Sequence, residues 1–165
     1  MKARNFKEIK GMPYTRRKFM GGVPGSKITK FTMGDTSRSY PYTVELVNLE
    51  SAQIRHNALE AARIAANRML ELKLGREGYM MKVVPYPHVV LREHKRINVA
   101  QADRFQEGMK NAYGKPTGTA ARVMRGEPII IAEVTENGIE AAKEALERAA
   151  AKFPVKSRVI IKPNN

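Results

Sequence analysis

Two segments of the sequence, 80 residues apart, repeat the same helix-then-strand pattern. Residues 59–63 read LEAAR, and residues 139–143 read IEAAK. Each lies in a helical pattern, and each is followed by an apolar run, residues 80–84 or 157–162, that ends at a proline. Apolar faces on helices and strands must be buried against one another. The repeat therefore predicts two related helix–strand units packed on one sheet.

The two helices are predicted over residues 51–74 and 139–152. In the first, apolar residues recur at three- and four-residue steps, and Gly75 suits the position just after the helix. In the second, Ile139, Ala142 and Leu146 lie on one side. Asn137 is placed to cap this helix, and the proline at position 154 ends it.

Strands are predicted at residues 79–84, 129–134 and 155–162, with a further extended segment at residues 89–91. The run at 129–134 is β-branched and is expected to be buried. The chain has 165 residues, of which 42% are hydrophobic, enough for the core of one domain spanning residues 1–165. The predicted fold class is α+β, with two helices packed on one face of a mixed or antiparallel sheet.

Composition excludes several classes of protein. There is no cysteine, which rules out disulfides, iron–sulfur clusters, thiolate zinc sites and a cysteine nucleophile, and is compatible with a reducing cytosol. No apolar run approaches the roughly 20 residues that span a bilayer, and the basic first 17 residues lack the apolar segment of a signal peptide. We expect a soluble cytoplasmic protein with no membrane partner.

Positive charge is concentrated in the N-terminal quarter. The net charge is +14, and residues 1–40 carry ten Lys and Arg against two acidic residues. Residues 75–128 carry ten basic and five acidic residues, whereas residues 41–74 are neutral and residues 129–165 carry a net +1. A field of this sign attracts polyanions, which favours a nucleic acid as the partner. The plainer alternative is that these cations form a solvated face, although such faces usually mix both signs.

Residues 1–40, which we call the N-terminal arm, combine these charges with aromatic residues and tight turns. Residues 12–19 read MPYTRRKF and residues 21–27 read GGVPGSK. Aromatic rings and guanidinium groups stack on unpaired bases while lysine neutralises phosphate. The arm is therefore predicted to bind RNA. A targeting signal is the alternative, but it would not require the interleaved aromatic residues or the turns.

Residues 98–119 fit neither a helix nor a strand. Connections of roughly twenty residues are unusual in compact domains and are usually functional or disordered. The basic residues Arg104, Lys110 and Lys115 alternate there with Phe105 and Tyr113, a pattern suited to phosphate contacts and base stacking. We predict a long, mobile, protruding functional loop. A mobile surface loop with buried aromatic residues is the alternative.

No enzyme signature is present. The Gly114-Lys115 pair lacks the first glycine of a P-loop and is followed by proline instead of Ser or Thr. The three histidines, at positions 56, 88 and 94, have no metal-ligand spacing. Asp103 and Glu107 have basic neighbours and are expected to form ion pairs. We therefore predict no catalytic residue, no metal, no cofactor and no small-molecule substrate.

Seven short motifs, in order along nearly the whole chain, carry a family resemblance. They are Pro13-Tyr14 with Arg16-Arg17, Gly22-Val23-Pro24 with Lys27-Ile28, the LEAAR segment at 59–63, Ala102-Asp103-Arg104 with Gln106 and Gly108-Met109, Gly114-Lys115-Pro116 with Gly118, Ala121-Arg122-Val123, and Lys152-Phe153-Pro154. With these motifs the chain resembles the archaeal and eukaryotic L-ten-e family of large-subunit ribosomal proteins, the counterpart of bacterial L-sixteen.

The resemblance implies an α/β-hammerhead type of fold and a structural role. It implies that the protein binds large-subunit rRNA near the aminoacyl-tRNA site and the central protuberance, beside other ribosomal proteins, and helps position tRNA. The expected rRNA contacts are Arg4, Lys7, Lys10, Tyr14, Arg16, Arg17, Lys18, Lys27, Lys30, Arg92, Lys95, Arg96, Lys115 and Arg122. The loop expected to face tRNA and the peptidyl-transferase region contributes Arg104, Phe105, Gln106, Lys110 and Tyr113.

A different class of function remains open from the residues alone. The same basic and aromatic groups would serve a free-standing RNA-binding regulator or chaperone. Stoichiometry separates the two, because a ribosomal component is present at about one copy per large subunit and a regulator is not. An enzyme is a more distant third possibility, because no constellation of histidines or carboxylates supports one.

Overall fold

The computed structural model describes residues 3–94 and 113–164. In chain order the strands and helices are β1 (Thr32–Gly34), β2 (Tyr42–Asn48), β3 (Ala52–Arg55), α1 (His56–Leu74), β4 (Tyr79–Val83), β5 (Val89–Glu93), β6 (Lys115–Val123), β7 (Pro128–Val134), α2 (Ile139–Ala150) and β8 (Ser157–Pro163). Short 3₁₀ turns form at Ala3–Phe6, Arg17–Phe19 and Glu136–Gly138. The class is α+β, as predicted.

The larger sheet has five antiparallel strands in the order β1-β4-β7-β2-β8. Helices α1 and α2 pack against each other and against this sheet. The strand after each helix, β4 or β8, belongs to this sheet, so the two predicted helix–strand units do share one sheet. Every pairing among the described strands is antiparallel, which decides between the mixed and antiparallel alternatives.

The core lies between the helices and the larger sheet. Its fully buried side chains include Leu46 on β2, Leu59 and Leu70 on α1, Ile130 on β7 and Leu146 on α2. Burying a leucine or isoleucine contributes about 1.5–3 kcal/mol relative to leaving it exposed. This packing supplies a rigid base for the more polar parts of the molecule.

A smaller antiparallel sheet, β3-β6-β5, stands beside the first. The sequence predicted one sheet, so this second one is a correction. Residues 51–55 were expected to begin the first helix, but Ala52–Arg55 instead form β3 and pair with β6. The apolar spacing from Ile54 to Ala58 suits a helix. Pairing with β6, almost 70 residues later in the sequence, instead holds residues 52–55 in a strand.

The start of β6 corrects a second expectation. The irregular segment was predicted to extend over residues 98–119, but Lys115–Val123 form a nine-residue strand. The glycine at position 118 and the proline at 116 obscured that strand in the sequence. Residues 98–112 of the predicted loop lie outside the described residues.

The helix ends confirm one prediction and overturn another. Gly75 follows α1 with a positive φ of 73°, and its N–H donates to the Glu71 carbonyl at 3.1 Å. Asn137 does not cap α2, because it lies inside the 3₁₀ turn and the capping position is Gly138, with no side-chain hydrogen bond. Neither helix of the described ranges is long and apolar enough to span a membrane.

Candidate nucleic-acid interface

The N-terminal arm crosses the outer face of the smaller sheet and covers both of its edges. At one edge the Gln53 N–H of β3 donates to the Lys7 carbonyl at 2.8 Å. At the other edge the Val90 N–H of β5 donates to the Tyr14 carbonyl at 2.8 Å. Strand edges left open expose unpaired backbone groups. The arm satisfies some of these groups, and its first half is therefore a docked part of the fold.

Two polar side chains of the smaller sheet hold the arm where it crosses. Gln53 and Arg122 are directly opposite in the β3–β6 ladder, so both side chains leave the same face of the sheet. The Arg122 guanidinium donates to the carbonyls of Gly11 at 2.8 Å and Lys10 at 3.3 Å, and its Nε donates to the Gln53 amide oxygen at 3.3 Å. The Gln53 amide donates to the Glu8 carbonyl at 2.9 Å. Arg122, predicted to contact rRNA, thus has an internal role as the clasp of the arm.

Arg92 of β5 brings the arm together with the start of β6. Its guanidinium carbon lies 5.6 Å from the centre of the Tyr14 ring and 6.0 Å from that of Tyr113. Its Nε donates to the Gly114 carbonyl at 3.2 Å. Cation–π contacts at such distances are attractive. Two predicted rRNA contacts, Tyr14 and Arg92, and one predicted loop residue, Tyr113, therefore belong to a single cluster.

The arm turn, residues 16–19, presents the densest positive charge. The N–H of Phe19 donates to the Arg16 carbonyl at 3.2 Å, and the N–H of Met20 donates to the Arg17 carbonyl at 3.0 Å. Arg16, Arg17 and Lys18 are all exposed, and no carboxylate of the described residues lies within 4.0 Å of any of them. Phe19 beside them is 76% exposed. A phosphate chain can approach this turn without first displacing an ion pair.

A groove of about 380 Å³ opens between the arm turn and the start of β6. We call it the arm groove; its lining includes Phe19, Gly21, Gly22, Arg92, Lys115 and Pro116. Gly114 fixes its shape, because φ is +81° there and an added Cβ would lie 2.5 Å from the Glu93 carbonyl carbon. The groove offers cations, an aromatic ring and exposed backbone on adjoining walls.

A second groove, of about 330 Å³, lies between the arm and the start of α1. We call it the His56 groove. The Lys27 N–H donates to His56 Nδ1 at 2.8 Å, which places the imidazole hydrogen on Nε2. Burial, followed by the charges of Lys27 and Arg55, lowers the pKa of His56, so the ring is neutral at pH 7.

Several cations on the two helices and the larger sheet are paired with carboxylates, unlike those of the arm turn. Arg63 of α1 pairs with Glu60 at 2.6 Å, and Lys162 of β8 pairs with Glu45 of β2 at 2.7 Å. Lys73 of α1 pairs with Glu144 of α2. These cations are partly neutralised by neighbours, and their positions favour holding the fold together over binding a polyanion.

Most of the other predicted rRNA contacts lie along the arm. Lys7 pairs with Glu50 at 3.1 Å, and Lys10 pairs with Glu8 at 2.9 Å. Arg4, Lys27 and Lys30, also on the arm, are exposed, and Lys115 of β6 lines the arm groove. The remaining predicted residues, Lys95, Arg96, Arg104, Phe105, Gln106 and Lys110, lie outside the described residues.

Sequence reasoning did not identify two residues that shape the interface. Gln53 was placed in a helix, and His56 was interpreted only as a packed or surface histidine. The available signal was a glutamine between two apolar residues in the AQI segment at 52–54, which is unusual for a strand unless its side chain has a buried partner. Within the described ranges no group of three metal-ligating side chains comes together.

Comparison with known proteins gives a consistent result. A family model described as "Ribosomal protein L16p/L10e" matches residues 9–160. A protein of Staphylothermus marinus named "Large ribosomal subunit protein uL16" is 50% identical over 161 residues, covering 98% of this chain and 92% of the relative. Proteins of the same name from Hyperthermus butylicus and Thermoplasma volcanium are 48% and 47% identical, covering 97% and 96% of this chain and 89% and 90% of their own lengths.

Proposed function

The chain belongs to the ribosomal protein L16p/L10e family, and on that premise we propose that its arm turn and arm groove bind rRNA and that the adjoining loop faces tRNA. It is a structural protein of the large ribosomal subunit and not an enzyme. Its partners are therefore rRNA and neighbouring ribosomal proteins.

One observation carries the rRNA proposal. Arg16, Arg17 and Lys18 are consecutive, exposed and without a carboxylate within 4.0 Å among the described residues. Each phosphate that such a cation neutralises releases counterions, which drives association. The backbone hydrogen bonds of the arm turn order the main chain that carries the three side chains, so less backbone freedom is lost on binding. RNA bound there displaces no internal ion pair.

The arm groove supports a contact with an unpaired base as well as with phosphate. The exposed ring of Phe19 in this groove suits base stacking, worth about 1–3 kcal/mol per base. Gly21 and Gly22 leave the backbone accessible in the same wall. Lys115 and Arg92 supply positive charge in the same lining. We propose that one splayed nucleotide of rRNA enters this groove.

The experiment that tests the arm turn replaces Arg16, Arg17 and Lys18 by glutamine and measures binding of purified large-subunit rRNA over a range of salt concentrations. The slope of log affinity against log salt falls by about 2–3 if all three contact phosphate. A matched control replaces three exposed lysines of the C-terminal quarter, Lys143, Lys152 and Lys156, and leaves the slope nearly unchanged. Equal slopes in both triple variants would refute the proposal for the arm turn.

Residence in the ribosome is measured separately by sedimentation. A cell lysate is fractionated on a sucrose gradient at low and at high salt, and this chain is quantified against large-subunit markers. About one copy per large subunit is expected at both salt concentrations. Recovery mainly in the light fractions would instead support a free-standing RNA-binding regulator.

We propose that the loop between β5 and β6 faces tRNA, as the family resemblance implies. Near its C-terminal end, Tyr113 is 78% exposed and its ring lies against Arg92 beside the arm groove. Replacing Arg104 and Lys110, which lie outside the described residues, is expected to spare assembly but slow tRNA accommodation or peptide-bond formation. Normal kinetics in ribosomes that carry this variant would contradict a role of the loop.

A further inference from the structure

The His56 groove lies on the smaller sheet but is separate from the arm groove. Its walls come from the arm, the start of α1, β5 and β6, and its lining includes Lys27, Arg55, His56, Asn57, Glu93 and Thr117. Its volume of about 330 Å³ falls in the range of small-ligand sites, which begins at about 300 Å³. The arm groove, by comparison, contains no carboxylate in its lining.

One wall of the His56 groove is built from donors. The bond from the Lys27 N–H to Nδ1 leaves Nε2–H of His56 as the remaining donor of the ring. Gly118 faces this ring edge, and a Cβ there would lie 3.2 Å from Nε2. Glycine therefore keeps space beside the donor. The Lys27 and Arg55 side chains add two positive charges to the same lining.

The lining also contains a negatively charged acceptor, the carboxylate of Glu93. Its Oε2 is buried and has no hydrogen-bond partner among the described residues. Buried carboxylate oxygens without a partner are rare and need an explanation. Glu93 also lines the groove, so rotation of its carboxylate would bring this oxygen to a donor that enters there. The groove thus combines anion-binding groups with one unsatisfied acceptor.

We infer that the His56 groove binds one ribonucleotide step of an RNA strand, with Lys27, Arg55 and His56 holding the phosphate and Glu93 accepting a hydrogen bond from the neighbouring ribose 2′-hydroxyl. A carboxylate does not stabilise a bound anion that has no hydrogen-bond donor, and DNA lacks the 2′-hydroxyl that would donate. The 2′-hydroxyl is the group by which a protein distinguishes RNA from DNA. This inference rests on the proposed binding of RNA and adds a preference for ribose.

The test compares three single-stranded oligouridylate probes of about 12 nucleotides on the full chain: RNA, 2′-O-methyl RNA and 2′-deoxy DNA. Fluorescence anisotropy at fixed salt gives the three affinities. We expect RNA to bind about tenfold more tightly than either of the other two, because a hydrogen bond to a charged group is lost in both. Equal binding of RNA and 2′-O-methyl RNA overturns the inference.

Variants assign the preference to this groove. Glu93→Met, which keeps the length of the side chain but removes the acceptor, brings the ratio of RNA to 2′-O-methyl RNA affinity close to one. An unchanged ratio in this variant, with its thermal unfolding intact, also overturns the inference. Because removal of a carboxylate strengthens all polyanion binding alike, the ratio and not the affinity is the informative quantity.

The arm-turn variant separates this inference from the proposed function. With Arg16, Arg17 and Lys18 replaced by glutamine, we expect weaker binding of all three probes and an unchanged ratio. If the wild-type chain binds all three probes equally well, RNA binding stands and the ribose preference fails. If it binds none of them, both the proposed RNA binding and the inference fail.

Discussion

The guanidinium of Arg122 donates to the Gly11 carbonyl across 2.8 Å, joining the middle strand of the smaller sheet to a residue 111 positions earlier. This bond, with those to Lys10 and Gln53, makes a β6 side chain the clasp of the N-terminal arm. The arm turn that follows is thereby held at a defined place above the sheet. Arg122 therefore docks the arm, whereas Arg16 and Arg17 stay exposed on the arm turn.

Replacing Arg122 by Met is expected to release residues 6–14 and to lower the free energy of unfolding by about 1.5–3 kcal/mol, the usual range for hydrogen bonds to a charged group. Limited proteolysis detects the release as faster cleavage within the first 20 residues. Arg125→Met is the matched control, because that exposed side chain follows the same strand. Equal cleavage rates in the two variants would show that Arg122 does not hold the arm.

These arginines show which features the sequence could predict and which it could not. Charge and aromatic spacing located the exposed arm turn, because solvation and charge density are properties of a short segment. The docking of the arm was missed, because it depends on Gln53 and Arg122, which meet the arm across 45 and 111 residues of sequence. Nothing in local periodicity indicates such a contact.

The helices, too, were predicted from local pattern, whereas the pairing of distant strands was not. The segments around α1 and α2 were identified from their 3.6-residue periodicity, and Gly75 was placed correctly at the end of α1. Residues 52–55 were assigned to the helix because Ile54 continues its apolar spacing. Their true partner is the second half of β6, residues 120–123, for which no strand was predicted; the first half, which contains the proline and the glycine, was predicted to be loop. Pairing between distant strands, and not propensity, determined this region.

Gly114 and Gly126 allow the cost of backbone conformation to be separated from the cost of a clash. Both have positive φ, +81° and +88°, but an added Cβ meets backbone at 2.5 Å only at Gly114 and nothing within 4 Å at Gly126. We expect Gly126→Ala to cost about 1 kcal/mol from the left-handed conformation. Gly114→Ala is expected to cost about 2 kcal/mol more, since β5 and β6 must shift apart. Urea unfolding of both variants measures the difference, and equal midpoints would contradict a close approach at Gly114.

Two leucines on α1 test the packing of the core. Leu70 is fully buried, whereas Leu72, two residues further along, is 73% exposed. Leu70→Ala is expected to lower the free energy of unfolding by about 2–5 kcal/mol through lost burial and a residual cavity. Leu72→Ala, the control, should change it by less than about 0.5 kcal/mol. Similar losses in both variants would mean that α1 packs through a different face.

The link between His56 and Lys27 predicts a pH dependence of stability. Burial and two neighbouring cations lower the pKa of His56 in the folded state, so between that lowered pKa and the ordinary histidine pKa of 6.5 the unfolded chain binds more protons. The stabilisation contributed by the neutral ring is therefore complete above pH 6.5 and is lost as the pH falls through the lowered pKa. Protonation also removes the acceptor at Nδ1 and releases the Lys27 N–H.

The measurement is the free energy of unfolding by urea at about pH 7.5 and about pH 5.5, in the wild type and in His56→Asn, which retains an acceptor but cannot titrate. We expect stability to fall more between the two pH values in the wild type than in His56→Asn. His88→Asn, at an exposed histidine, is the control and should retain the wild-type fall. If His56→Asn also retains it, another group is responsible, and the bond between the arm and α1 does not respond to pH.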